Sequence, residues 1–293
     1  MTEQQRIDLP TGVTLNVATA GPEDAPPVIL LHGFPESHRT WREIVPRLER
    51  DYRLIMPDQR GFAGSDKPHD LDAYRVDKLV ADLLALAQAL GPDKFALVGH
   101  DWGGAVAWAA AIRNGPHISK LAILNSPHPL IFQKTIIDDA KQRAASQYIR
   151  RFRETGMERH IRDMGMEAFF EKSFEPHVDL AAISEEERQA YIAEWSSDGA
   201  LEGMLAWYRM SPIEVPAIDE AADYPDWVLS GVPDIHVPVK MIWGMQDKAL
   251  LPCQLKGLEG LIDDLSIERI EDAGHFAVWE KPEPVAAALR DFL

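Results

Sequence analysis

The apolar run Phe95-Ala96-Leu97-Val98 passes without a break into Gly99-His100-Asp101-Trp102-Gly103-Gly104, and an alanine-rich stretch from Ala105 to Ile112 follows at once. Short continuous apolar runs of the first kind are strands buried on both faces, and the second reads as a helix packed all round. No loop separates them, so the chain must turn from strand to helix within a few residues. Glycines flanking such a bend let the tight backbone pass without colliding with the helix, and the bend lifts one side chain, Asp101, above the carboxyl end of a sheet. Aspartate is also a good N-cap, so the pentapeptide by itself admits a purely structural role.

The rest of the chain repeats the alternation. Strand signals lie at Val13 to Ala18, Val28 to Leu31, Tyr52 to Met56 (stopped by Pro57) and Leu121 to Leu124. From Tyr74 to Leu90, apolar positions 76, 79, 80, 83, 84, 87 and 90 recur at helical spacing until Gly91-Pro92. From about 130 to 233 the texture is helical, broken at Gly156, Gly165, Pro176, Gly199, Pro212 and Pro216. Strands return at Val239 to Trp243 and Leu265 to Ile270, before a closing helix near Pro284 to Phe292. Strands alternating with helices predict an α/β fold with a mainly parallel sheet covered on both faces. A chain of 293 residues accommodates one such core, residues 1–129 and 234–293, with a helical cap, 130–233, inserted into it.

Composition narrows the function. The 30 basic and 47 acidic residues give a net charge of −17, which repels polyphosphate and argues against nucleic acid as a partner. The same charge gives little help to an anionic substrate unless a local cation overrules it. The single cysteine, Cys253, excludes an internal disulfide, and the opening MTEQQRIDLP has no apolar signal core, so a cytoplasmic location is expected. No apolar run nears the ~20 residues needed to span a bilayer, so no membrane association is expected.

Two further residues stand in a telling order. Asp247 lies in Ile242-Trp243-Gly244-Met245-Gln246-Asp247, leaving a buried strand, and His275 lies in Ala273-Gly274-His275-Phe276, after the last strand. Elbow residue, then acid, then histidine, each at the carboxyl end of a parallel strand, is the chain order of a nucleophile–acid–base triad. His32-Gly33-Phe34-Pro35 follows the strand ending at Leu31. There the Phe34 N–H can point at a developing oxyanion with the Trp102 N–H as second donor, and Pro35 is expected in cis. A carboxylate at the elbow attacks an sp³ carbon and is left as an alkyl ester. Water activated by His275, with Asp247 behind it, then cleaves the ester. Neither metal nor other cofactor is required.

Together with Asp58-Gln59-Arg60-Gly61-Phe62-Ala63-Gly64-Ser65-Asp66 and Gly274-His275-Phe276, these motifs resemble, nearly end to end, α/β-hydrolases of the epoxide hydrolase and dehalogenase branch. The resemblance implies a mostly parallel eight-stranded sheet flanked by helices, and two cap tyrosines that donate to an epoxide oxygen. Tyr148, in Ala144-Ala145-Ser146-Gln147-Tyr148, and Tyr208, in Trp207-Tyr208-Arg209, stand in the matching places. The implied reaction is hydrolysis of a small hydrophobic epoxide to a vicinal diol. His32, Pro35 and Trp207 are expected to bind substrate, and Phe132, Phe152, Met157, Phe169, Phe170, Trp195 and Met204 to help wall the pocket. Haloalkane dehalogenases usually carry asparagine where Phe34 stands, and fluoroacetate dehalogenases arginine where Trp102 stands. Dehalogenation is therefore the second reading, and a non-catalytic ligand-binding member of the fold the third. Monomer and homodimer are left open.

Overall fold

The computed structural model describes residues 3–293. Among these residues eight strands form one sheet: β1 (Glu3–Asp8), β2 (Thr14–Ala20), β3 (Pro27–Leu31), β4 (Arg53–Pro57), β5 (Phe95–His100), β6 (Ile118–Leu124), β7 (Val239–Gly244) and β8 (Leu265–Ile270). Their order is β1-β2-β4-β3-β5-β6-β7-β8. β2 pairs antiparallel with both β1 and β4, and every other pair is parallel. This is the mostly parallel α/β sheet the sequence leads one to expect, flanked by helices. Alternate side chains enter two cores. Ile29, Leu31, Leu97, Ile123 and Met241 pack on one face, and Val28, Leu30, Val98, Ala122 and Ile242 on the other. Each fully buried Leu or Ile contributes about 1.5–3 kcal/mol of transfer free energy, so the sheet centre is a stiff base for the loops leaving it.

β1 has no counterpart among the seven strand signals. Its residues, EQQRID, are mostly exposed and follow no hydrophobic alternation. Pairing with β2, from Glu3 opposite Thr19 to Asp8 opposite Thr14, makes it a strand, and its charges suit an open sheet edge. The elbow helix spans Trp102–Asn114, starting earlier than its alanine-rich stretch because Gly103 and Gly104 lie inside it. A Cβ on Gly103 would stand 2.2 Å from the Leu31 carbonyl oxygen, so the helix can approach β3 only with glycine there. The helix Val76–Leu90 ends at Gly91 with φ 95°, while Tyr74 belongs to the 3₁₀ turn Leu71–Tyr74 before it.

Between β6 and β7 the chain is helical, from Pro129–Asp138 to Asp226–Ser230, with no strand among the described residues of that stretch. These helices share the core face that carries Leu31 and Leu97, adding Phe169, Trp207 and Tyr208 to it. Polar ties bind them to the loops below. The Trp207 indole N–H donates to the Arg60 carbonyl at 2.9 Å, and the Trp195 indole to the Pro35 carbonyl at 2.7 Å. Gln142 donates to the Ala249 carbonyl at 2.9 Å and accepts from the Leu251 N–H at 2.9 Å. No helix of the described residues is long and apolar enough to cross a membrane.

Candidate active site

β3 lies between β4 and β5, where the order of strand addition reverses, and open parallel sheets bind ligands outside the carboxyl ends of the strands at such a point. The loops after β3 and β5 therefore emerge side by side. Asp101 stands at the bend with φ 50° and ψ −120°, a conformation that costs about 1–3 kcal/mol and persists only where the surroundings enforce it. The enforcement is visible. A Cβ on Gly33 would fall 2.4 Å from Asp101 Cβ, and one on Gly99 2.6 Å from the Gly103 carbonyl oxygen. The Ser126 hydroxyl donates to the Asp101 carbonyl at 2.7 Å. The Phe34 N–H donates to Asp101 Oδ1 at 2.8 Å, leaving Oδ2 facing His275 Nε2 at 3.7 Å.

His275 and Asp247 arrive from the loops after β8 and β7. His275 Nδ1 and Asp247 Oδ2 are 2.7 Å apart. Asp247 Oδ1 accepts from the Ala249 and Leu250 N–H groups at 2.8 and 2.9 Å, and Asn125 Nδ2 donates to Oδ2 at 2.8 Å. Burial alone would raise the Asp247 pKa, but the charge and hydrogen bond of His275, then the Leu250 and Asn125 donors, hold it below the usual carboxylate range. Burial likewise opposes a charged His275. The charge and hydrogen bond of Asp247, followed by the charge of Asp101, overcome it and raise its pKa to about 9.

Above Asp101 stand Tyr148, from the helix Gln147–Arg153, and Tyr208, from Ala200–Met210, with ring centroids 6.1 Å apart. Burial lifts the Tyr148 pKa well above 10, reinforced by the charges of Asp101 and Asp247. Burial does the same for Tyr208, with Tyr148 and Asp101 adding to it against a lowering contact with Trp102. Both phenols therefore stay protonated at neutral pH. Two cavities of about 430 and 470 Å³ meet at this place, and Asp101, Tyr148 and Tyr208 line both.

The chain matches the alpha/beta hydrolase fold family over residues 26–282. It is 34% identical to the AB hydrolase superfamily protein YfhM of Bacillus subtilis, across 96% of this chain and 95% of that protein. It is 32% identical to epoxide hydrolase A of Mycobacterium tuberculosis, across 99% and 97%. This chain belongs to the epoxide hydrolase branch of the α/β-hydrolases. A solved structure described as one of the novel epoxide hydrolases of this superfamily in metagenomes from hot environments superimposes with a TM-score of 0.90. That structure is 41% identical and matches over 100% of this chain and 98% of its own.

Not every residue expected at the site of this α/β-hydrolase faces the cavities. His32 is fully buried beneath the loop, its Nε2 accepting from the Gln59 N–H and its Nδ1 against the Gly33 carbonyl, both at 2.9 Å. It braces the backbone that carries Phe34 and does not line either cavity, so its expected role in substrate binding is corrected. The same holds for Pro35, whose peptide bond with Phe34 is cis as expected and whose carbonyl is taken by Trp195. Trp207 does line the smaller, more apolar cavity together with Trp102 and Phe132, while Phe152, Met157 and Phe169 line the other. Phe170, Trp195 and Met204 are core instead: the first two pack in one aromatic cluster with Phe174, and Met204 is buried away from both cavities.

Two neighbours of the site went unread in the sequence. Asn125, at the end of β6, has φ 39° and is fully buried. It grips Asp247 through Nδ2 and accepts the Gly244 N–H on Oδ1 at 2.9 Å. Its position at the carboxyl end of a buried parallel strand was the available signal. His177, in an irregular stretch between helices, turns its ring to 5.7 Å from that of His275, and no periodicity marks it. Among the described residues no group of three or more His, Cys, Asp or Glu side chains could hold a metal ion.

Proposed function

We propose that this protein hydrolyses an epoxide to a vicinal diol through an alkyl ester on Asp101. The observation that carries this reading is the pair of protonated phenols, Tyr208 buried and Tyr148 half-buried, over a carboxylate held at a strained bend, all three lining the same two cavities. Asp101 Oδ2, free of backbone donors, attacks a ring carbon. The carbon–oxygen bond breaks, and the ring oxygen takes a proton from Tyr148 or Tyr208, leaving a phenolate. A phenol with the other beside it suits this task because its ordinary pKa of about 10 lies between those of water and a carboxyl group.

Ester formation also prepares the second step. The charge of Asp101 helps keep His275 protonated, and esterification removes that charge. His275 is then released as a base. It takes a proton from water, whose oxygen attacks Asp101 Cγ, and the oxyanion forms at Oδ1 under the Phe34 N–H with the Trp102 N–H as second donor. Collapse expels the diol oxygen, which takes the proton from imidazolium. The second proton of the water returns through solvent to the phenolate. Asp247 orients and stabilises the imidazolium throughout.

Dehalogenation fits less well. A halide needs converging N–H donors, Phe34 supplies no side-chain amide, and the Trp207 indole is already committed to the Arg60 carbonyl. Styrene oxide, 1-bromobutane and fluoroacetate offered separately test the reading. Diol from the first supports it. Halide release without diol would support a dehalogenase, and tight binding without turnover a ligand-binding protein.

A further inference from the structure

The two cavities that meet at Asp101 differ in charge. The smaller, more apolar one is lined mainly by aliphatic and aromatic side chains, with Arg113 its single cation among the described residues. The other, beyond Phe34 and Phe152, carries Arg151, Lys172 and Lys248 with His160 and His177 among its lining residues. The only carboxylate lining it among the described residues is Asp101 itself. In a chain of net charge −17 such a wall runs against the overall field. Arg151 and Lys172 have no ion-pair partner within the described residues, and Lys248 spends one donor on the Pro176 carbonyl at 3.0 Å. Glu154 joins Arg151 and His160 only in a shallow groove outside.

Resting on the epoxide reading above, we propose that the preferred substrate is an internal epoxide with two unlike arms, one apolar and one ending in a carboxylate. The apolar arm lies against Trp102, Phe132 and Trp207. The acid-bearing arm runs past Phe152 to Arg151, Lys172 and Lys248, where the carboxylate stays partly hydrated while paired. A carboxylate directly on the ring carbon would stand beside the charge of Asp101 and be repelled, so a spacer is part of the proposal.

The test compares an internal epoxide bearing an acid-terminated arm with its methyl ester. At low ionic strength the acid is expected to have a kcat/KM about tenfold higher, carried mainly by KM, the scale of a few screened ion pairs on one group. The acid-to-ester ratio should fall toward one at about 1 M salt, where screening acts within about 3 Å, and in an Arg151→Gln/Lys172→Gln variant. An acid converted no better than the ester, or a preference that survives both treatments, overturns the proposal. Binding of the diol acid and diol ester, followed by tryptophan fluorescence, needs no turnover. Failure to convert either compound or styrene oxide would sink the epoxide reading, while the diol pair would still decide for or against the cationic wall.

Discussion

Replacing Asp101 with asparagine keeps its shape and removes its charge, imitating the ester. The lost charge stands 3.7 Å from His275 Nε2. At that separation two unit charges interact with about 1 kcal/mol in a water-like medium and about 4 kcal/mol at the effective dielectric of ~20 that suits protein sites. That corresponds to roughly 1–3 pKa units. Both side chains are largely buried, so the shift should fall in the upper part of this range. His275, now at about 9, should titrate at roughly 6–7 in Asp101→Asn. NMR titration of isotope-labelled imidazoles reads this directly. The same shift should appear in catalysis: ester cleavage, followed in a single turnover after rapid alkylation, should rise with pH through the lowered pKa and level off above it. A variant His275 still titrating near the wild-type value would refute the idea that the Asp101 charge times the base.

Tyr148→Phe and Tyr208→Phe should each slow ester formation about 10²–10³-fold, the usual cost of one oxyanion donor, with ester cleavage little changed in stopped-flow traces. An effect confined to ester cleavage would show the phenols to be misassigned. Asn125→Ala leaves the Gly244 N–H and one Asp247 oxygen short of a partner. Denaturant unfolding should show a loss of about 2–4 kcal/mol, and ester cleavage should slow more than its formation. His128 is buried with neither ring nitrogen partnered among the described residues, and burial lowers its pKa to about 4. Burial and then the charge of His275 lower that of His177 to about 4 as well. Both histidines contribute stability that is present above their unfolded value near 6.5 and lost as pH falls toward 4. His275 contributes stability present below 6.5 and lost as pH rises through about 9. Tm should therefore peak near pH 6.5, and His128→Leu should flatten the acid limb.

Much of this was legible because parallel strands buried on both faces leave continuous apolar runs, and catalytic loops follow those runs. Phe95 to Val98, Leu121 to Leu124 and Val239 to Trp243 announced β5, β6 and β7, and so located Asp101 and Asp247. β1 was not legible because its pairing, and no pattern of its own, makes it a strand. His32 and Pro35 show a different limit. Adjacency to Phe34 in sequence says nothing about which side of the loop a ring occupies, and hydrogen bonds to Gln59 and Trp195 draw both residues inward. Asn125 was overlooked because a lone asparagine after a strand reads as a turn. Its function depends on Asp247, 122 positions away. The charge contrast between the two cavities was equally hidden, since Arg151, Lys172 and Lys248 come together only when the helical segment folds over β7.

A single turnover of styrene oxide with excess enzyme in ¹⁸O-water, followed by mass spectrometry of the peptide containing Asp101 and of the diol, reads the reaction path at its decisive atom. Label in the Asp101 carboxylate and none in the first-formed diol is the expected result. Label in the diol with Asp101 unlabelled would mean that water attacks the ring directly and that no ester forms.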